Sequence, residues 1–235
     1  QYDLHFFEQG NVYQLSGNRE SLDSYREYPR LALFITGNDR SQGWHTPSRP
    51  VDFFQLKAYV EHMAGIYGLD LMRMDCTQAP SDLFDEGIRY VIKGKVLADL
   101  GRVSRSCLDV LDIKQNVYAA EIHWNIFFNM IRNNGTRFTE LPRFPEVRRD
   151  LALILDEDVA YEKLYEIAFR TEKHLLKHLG LFDVYKGKGI PEGKKQYALS
   201  FVFRDPGKTL TDAYVEQIVN RLLEAFQKET GAVLR

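Results

Sequence analysis

Apolar and polar positions along the first 141 residues change period several times. Residues 2–16, YDLHFFEQGNVYQLS, hold two apolar-rich runs around Gln9-Gly10-Asn11, which predicts a hairpin. RLALFITG, residues 30–37, reads as a short buried strand. VDFFQLKAYVEHMAGIYG, residues 51–68, switches to helical spacing, with Phe53, Leu56, Val60, Met63, Ala64 and Tyr67 on one face. Asp52 is placed to cap that helix, Gln55 to complete a capping box and Gly68 to end it. GIRYVIKGKVLADLG predicts a hairpin turning at Lys93-Gly94, and NVYAAEIHW a strand that runs into a helix at NIFFNMI.

The pattern after Pro142 and Pro145 is cleaner. RRDLALILD predicts a strand with Leu151, Leu153 and Leu155 on one face. A helix follows, capped by Asp158, with Leu164, Ile167, Ala168, Leu175 and Leu179 as its stripe and Gly180 as its stop. LFDVYKGKG and QYALSFVFRD read as strands, and TDAYVEQIVNRLLEAFQKETG as a helix with Val215, Ile218, Val219, Leu222 and Phe226 in register. AVLR is a candidate last strand. The order βαββαβ is the ferredoxin-like plan, with both helices on one sheet face and the other face open. Tyr197, Leu199, Phe201 and Phe203 share the buried face. Ala198, Ser200, Val202 and Arg204, with Asp150, Ala152 and Ile154 and with Asp183, are assigned to the open one. That open surface is small and polar rather than aromatic, and a carboxylate on it suits the N1 and N2 donors of guanine.

Composition adds limits. The 235 residues are 44% hydrophobic and 27% charged, as in a globular protein, with net charge −2. No overall field advertises a polyanion partner. Residues 1–141 carry fifteen Lys and Arg against eighteen Asp and Glu, and residues 142–235 sixteen against fifteen, so the second part is where a basic surface is expected. Cys76 and Cys107 form neither a CxxC pair nor a disulfide framework and fit a reducing cytoplasm. No apolar run approaches the roughly 20 residues of a membrane span. The chain opens at Gln1 inside an apolar-rich run, which suggests a piece of a longer protein.

Candidate chemistry narrows further. LFDVYKGKGIPEGKK has the look of a phosphate loop. Its glycine spacing, the absence of Ser or Thr after Lys194, and the strand that follows all exclude a P-loop. It reads instead as a mobile hairpin loop carrying lysines. His174 and His178, four apart on the expected helix, have the spacing of a metal pair but no third ligand, and read as a solvated helix face. GNDRSQGWHTPSRP, residues 37–50, reads as a connecting or interface loop. The aromatics Phe6, Phe7, Phe53, Phe54, Trp124, Phe127 and Phe128 read as core, some of them as subunit interface.

PRFPEVRRDLALILDEDV, GLFDVYKGKGIPEGKKQYALSFVFRD and TLTDAYVEQIVNRLLEAF together resemble the C-terminal anticodon-binding domain of the bacterial phenylalanyl-tRNA synthetase beta-subunit family. EQGNVY, RPVDFFQLKAYVEHMAGIYG and NVYAAEI are similar to that family's preceding catalytic-like core. The resemblance implies an α+β chain: a class II synthetase-like antiparallel sheet domain over residues 1–141 without catalytic residues, then a ferredoxin-like anticodon-binding domain over 142–235. It implies phenylalanine tRNA as partner, read at its anticodon by Ala152, Asp183 and Ser200, with Lys186, Lys188, Lys194, Lys195 and Arg204 as phosphate contacts. It implies a heterotetramer of two alpha and two beta subunits in the cytoplasm. The alpha subunit would hold the ATP site, and this part would bind neither ATP nor magnesium and be inactive alone. Where family members carry a Gly-Glu-Leu-His-Pro-like turn, this chain has GRVSRS, residues 101–106. Two other classes fit a ferredoxin-like plan, an amino-acid-binding regulatory module and an acylphosphatase-like hydrolase. The acidic LDEDVAYEK after the first strand repels phosphate and opposes the second of these.

Overall fold

A computed structural model describes residues 3–17, 19, 21–40, 42–132 and 140–235. Tyr2 of the first run and Ser41 of the 37–50 loop lie outside them. The chain divides into two compact units, residues 1–137 and 138–235.

The first unit is built on six antiparallel strands: β1 (Leu4–Leu15), β2 (Tyr25–Thr36), β3 (Asp75–Gln78), β4 (Phe84–Ile92), β5 (Lys95–Val103) and β6 (Val117–His123). Their order is β1-β2-β6-β5-β4-β3. The helix α1 (Phe53–Ile66) and the helix α3 (Trp124–Ile131) pack on one face, where Leu31, Ile35, Leu56, Val60, Leu100, Ile122 and Phe127 form the core. A third helix, α2 (Arg105–Val110), lies between β5 and β6 in sequence. Asp52 caps α1, its carboxylate accepting from the Gln55 amide at 2.9 Å. The Gln55 side chain does not return that bond. It donates to Asp39 and to Tyr59 instead, which ties the 37–50 loop to the helix. The β4–β5 hairpin turns at Lys93 and Gly94, both at positive φ, as a two-residue turn of that handedness requires.

The hairpin expected around Gly10 is not there. β1 is one strand whose twelve residues all pair with β2, Gly10 opposite Arg30. Gly10 does not take the positive φ that a tight turn needs, and the pairing of its neighbours on β2 holds it extended. Two other glycines matter for packing. Gly87 and Gly101 face each other across β4 and β5. A Cβ on Gly101 would collide with the Glu86 carbonyl and sit 2.8 Å from the Gly87 Cα and 2.9 Å from Phe84. The GRVSRS segment that departs from the family turn is therefore the end of β5 and a capped helix start. The Ser104 hydroxyl accepts from the Cys107 amide at 3.4 Å.

The second unit is a four-stranded antiparallel sheet of β7 (Val147–Asp156), β8 (Leu176–Tyr185), β9 (Lys194–Phe203) and β10 (Val233–Leu234), in the order β10-β7-β9-β8. With α4 (Tyr161–Thr171) and α5 (Asp212–Thr230) the element order is βαββαβ. Both helices cover one face. Leu153 and Leu155 of β7, and Leu199, Phe201 and Phe203 of β9, pack there against Leu164, Ile167, Val215, Ile218, Leu222 and Phe226. Gly231, at φ 67°, ends α5 as a left-handed cap.

Two details of this unit differ from the sequence reading. Ala160, not Asp158, is the N-cap of α4, and no side chain caps it. α4 also ends at Thr171 rather than near Leu179, and residues 176–185 are strand. The buried Glu172 stops the helix: its carboxylate accepts from the amides of His174 and Leu175, both at 3.1 Å, and from Arg221 at 2.9 Å. Of the two leucines that ended the expected stripe, Leu175 is buried from the turn before β8 and Leu179 from β8 itself. On β8, Leu176 opposes Phe203 and Leu179 opposes Phe201, with an extra residue inserted between them.

Gly101→Ala is expected to destabilise the first unit by roughly 1–3 kcal/mol, as overpacking does. Gly65→Ala, in α1 with open space where the Cβ would go, is expected to gain about 0.5–1 kcal/mol. Urea unfolding of the two variants measures both. Equal stability would show that the Gly87–Gly101 approach is not constrained.

Candidate nucleic-acid interface

The face of the second sheet opposite α4 and α5 is built rung by rung from the strand registers. Gln196 of β9 lies between Ile154 and Tyr185. The next rung is Ala152, Ala198 and Asp183, and the one after it Asp150, Ser200 and Gly180. Arg148, Val202 and His178 follow. Ala152, Asp183 and Ser200 therefore share one face, the first two flanking Ala198 and the third one rung on. Ala198 and Ser200 are buried in the floor, while Asp183 stands exposed at the side.

Asp183 reaches this face because of a second bulge. Leu181 opposes Leu199 on the core side, and Asp183 opposes the adjacent Ala198, with Phe182 inserted. Strict alternation would have put Leu181 and Asp183 on the same, buried face. The inserted residue turns the carboxylate outward and leaves Phe182 more than half exposed.

The same registers bring in Tyr185 and Gln196, which the sequence reading passed over, and set Asp150, which it placed on this face, beside Ser200. Tyr185 stands on the open face one rung from Asp183, its hydroxyl donating to the Lys188 carbonyl at 3.2 Å. Asp150 lies beside Ser200. Hydrogen bonds from Arg148 and then from Ser200 hold its carboxyl below the usual aspartate range. Gln196 accepts a hydrogen bond from Arg235. Alternation from Ala198 would have found Gln196, but Tyr185 and Asp183 share parity with the core leucines and needed the bulge.

The five cations expected to meet phosphate divide. Lys195 is a correction: it opposes Leu155 on the core side and is 7% exposed. Its ammonium donates to the Glu157 carbonyl at 2.8 Å and lies 4.5 Å from the Tyr197 ring centre. The same alternation that buries Tyr197 buries Lys195. Lys186 pairs with Glu157 at 2.9 Å, Lys194 with Asp156 at 2.7 Å, and Arg204 with Glu146 at 2.7 Å. Lys188 has no carboxylate partner among the described residues. The 186–193 loop is stapled by backbone bonds, Ile190 to Gly187 and Glu157 to Gly193, both at 3.0 Å.

Other candidates fall away. His174 and His178 are not on a helix: His174 sits in the turn after Glu172, and His178 is in β8, folded against Gly180. Among the described residues no cluster of three His, Cys, Asp or Glu is placed to hold a metal. No helix there is long and apolar enough to cross a membrane. Of the aromatics expected in the core of the first unit, Phe127 is buried and Phe53 and Trp124 pack against the core. Phe6, Phe7, Phe54 and Phe128 are exposed.

Comparison with known sequences matches this division of the chain. The family described as "Ferredoxin-fold anticodon binding domain" matches residues 142–235, and "Phenylalanyl tRNA synthetase beta chain CLM domain" matches residues 1–124. The phenylalanine–tRNA ligase beta subunit of Bacteroides thetaiotaomicron is 37% identical over 238 aligned positions, covering 99% of this chain and 29% of the relative. The same subunit of Porphyromonas gingivalis is 35% identical, with the same coverage, and that of Clostridium acetobutylicum 32%, over 97% of this chain and 27% of the relative. The chain thus spans less than a third of the length of these relatives. It belongs to the phenylalanyl-tRNA synthetase beta-chain family, as a stretch that corresponds to the core and anticodon-binding domains.

Proposed function

We propose that this chain serves a phenylalanine–tRNA ligase by reading the anticodon of phenylalanine tRNA on the open face of residues 142–235. The observation that carries this is Asp183, turned out of the core by the Phe182 bulge and set beside a floor of Ala152 and Ala198. The small floor leaves room for a base. The carboxylate accepts from the N1 and N2 donors of guanine, which no other base presents together. The Ser200 hydroxyl, already oriented by Asp150, supplies a second polar contact. The Tyr185 ring stands where it can stack on a base, the usual way a single-stranded loop is held.

In this reading the first unit packs against the alpha subunit within an assembly of two alpha and two beta subunits. ATP, magnesium and the aminoacylation chemistry belong to the rest of that cytoplasmic enzyme, and this chain alone attaches no phenylalanine to tRNA. The amino-acid-binding alternative has no observation in its favour, whereas the anticodon-binding family match supports the RNA reading.

Asp183→Ala is expected to weaken binding of the phenylalanine tRNA anticodon stem-loop by about 1–3 kcal/mol, the range of a good base-edge contact. Ala152→Leu, which fills the floor, is expected to do at least as much. Fluorescence anisotropy with labelled stem-loop measures both, and unchanged affinity in the two variants at moderate salt would refute the site. Tyr185→Ala is expected to lose about 1–3 kcal/mol of stacking while Tyr185→Phe keeps it. Equal losses in the two Tyr185 variants would mean that the hydroxyl, through Lys188, matters rather than the ring.

A further inference from the structure

We infer that the phosphate backbone of the bound RNA crosses the end of the sheet formed by Arg143, Lys177, His178 and Arg204, and not the 186–195 loop. This rests on the anticodon reading above and concerns where the strand enters and leaves it. Charge separates the two ends of the unit. The loop end, residues 156–158 and 186–195, has four lysines against four carboxylates, and one of those lysines, Lys195, is buried. The opposite end, residues 140–150, 173–178 and 202–208, has seven Lys and Arg against four Asp and Glu, with His174 and His178 in addition; one of the seven, Arg149, is on the helix side and bonded to Asp212.

Geometry agrees with the charge. Glu140, Arg143, Lys177, Arg204 and Pro206 line a recess of about 520 Å³. The Lys177 ammonium donates to the His174 carbonyl at 2.6 Å and has no carboxylate partner among the described residues. The Arg143 pairing with Glu140, at 3.3 Å, joins two side chains that are each more than three-quarters exposed, so a phosphate can compete for the guanidinium. His178 and Arg148 stand on the open face two rungs from Asp183, Arg148 in an exposed pair with Asp150 at 2.9 Å. At about 3.3 Å per residue that is roughly 13 Å. A base over Ala198 thus leaves its neighbouring phosphates within reach of these long side chains.

The test is the salt dependence of stem-loop binding, using the full chain and the phenylalanine tRNA anticodon stem-loop. Each phosphate contact contributes roughly 0.7–0.9 to the slope of log affinity against log salt. The double variant Arg143→Ala/Lys177→Ala is expected to flatten that slope by roughly one to two units, and the triple variant Lys186→Ala/Lys188→Ala/Lys194→Ala to leave it within error. The reverse pattern, or an unchanged slope in the first variant, would overturn the inference. Asp183→Ala separates this from the anticodon reading, because it is expected to lower affinity without changing the slope. If the unaltered chain binds no stem-loop, the anticodon reading fails and this inference fails with it.

Discussion

Leu199, Phe201 and Phe203 of β9 are packed beneath α4 and α5 with essentially no solvent exposure, and the geometry of the second unit follows from that burial. A strand has a period of two, so fixing the odd positions inward commits Ala198, Ser200 and Val202 to the other face. β7 and β8 then align to β9 by hydrogen bonding, and each rung of the open face is set. A slip of one residue would exchange the core for the binding surface, which the apolar side chains forbid.

β8 satisfies this constraint only by departing from regular alternation. It buries Leu176, Leu179 and Leu181 against Phe203, Phe201 and Leu199, and needs one inserted residue to do so. A second insertion, Phe182, then reverses the parity so that Asp183 and Tyr185 leave the core side. The second bulge is thus what delivers Asp183 and Tyr185 to a face on which β7 and β9 already set Asp150, Ala152, Ala198, Ser200 and Gln196. β-Bulges re-aim side chains in this way at sheet edges, and β8 is an edge strand.

In the first unit, the corresponding constraint is the close approach of β4 and β5 at Gly87 and Gly101, which lets Phe84 and Ala79 lie on the sheet. The same face carries a polar rung. Arg89 donates two hydrogen bonds to the largely buried Asp99, at 2.6 and 2.9 Å, and Glu121 on the next strand accepts from Arg30 at 3.0 Å. His123 stands beside that pair, and burial, reinforced by the Arg30 charge, pushes its imidazole below the ordinary histidine range. The two faces of this sheet therefore differ: α1 and α3 close one, and the other combines this polar rung with a small apolar cluster of Ala79, Phe84 and Ala119.

Much of this was readable from residue pattern. The α5 stripe, the Asp52 cap, the Lys93-Gly94 turn and the identity of the β9 faces depend on neighbours a few residues apart, and local sequence determines such features. The βαββαβ order followed from them. What the pattern missed depended on pairing between distant strands. Gly10 is extended because β2 holds it so, α4 ends at Thr171 because Glu172 finds Arg221 and the turn amides, and Lys195 is buried because Leu155 lies opposite. Asp183 was assigned to the open face from sequence, but its spacing from Leu181 argues for the core. Only the bulge against β9 resolves that conflict, because face is a property of the pair of strands and not of either one alone.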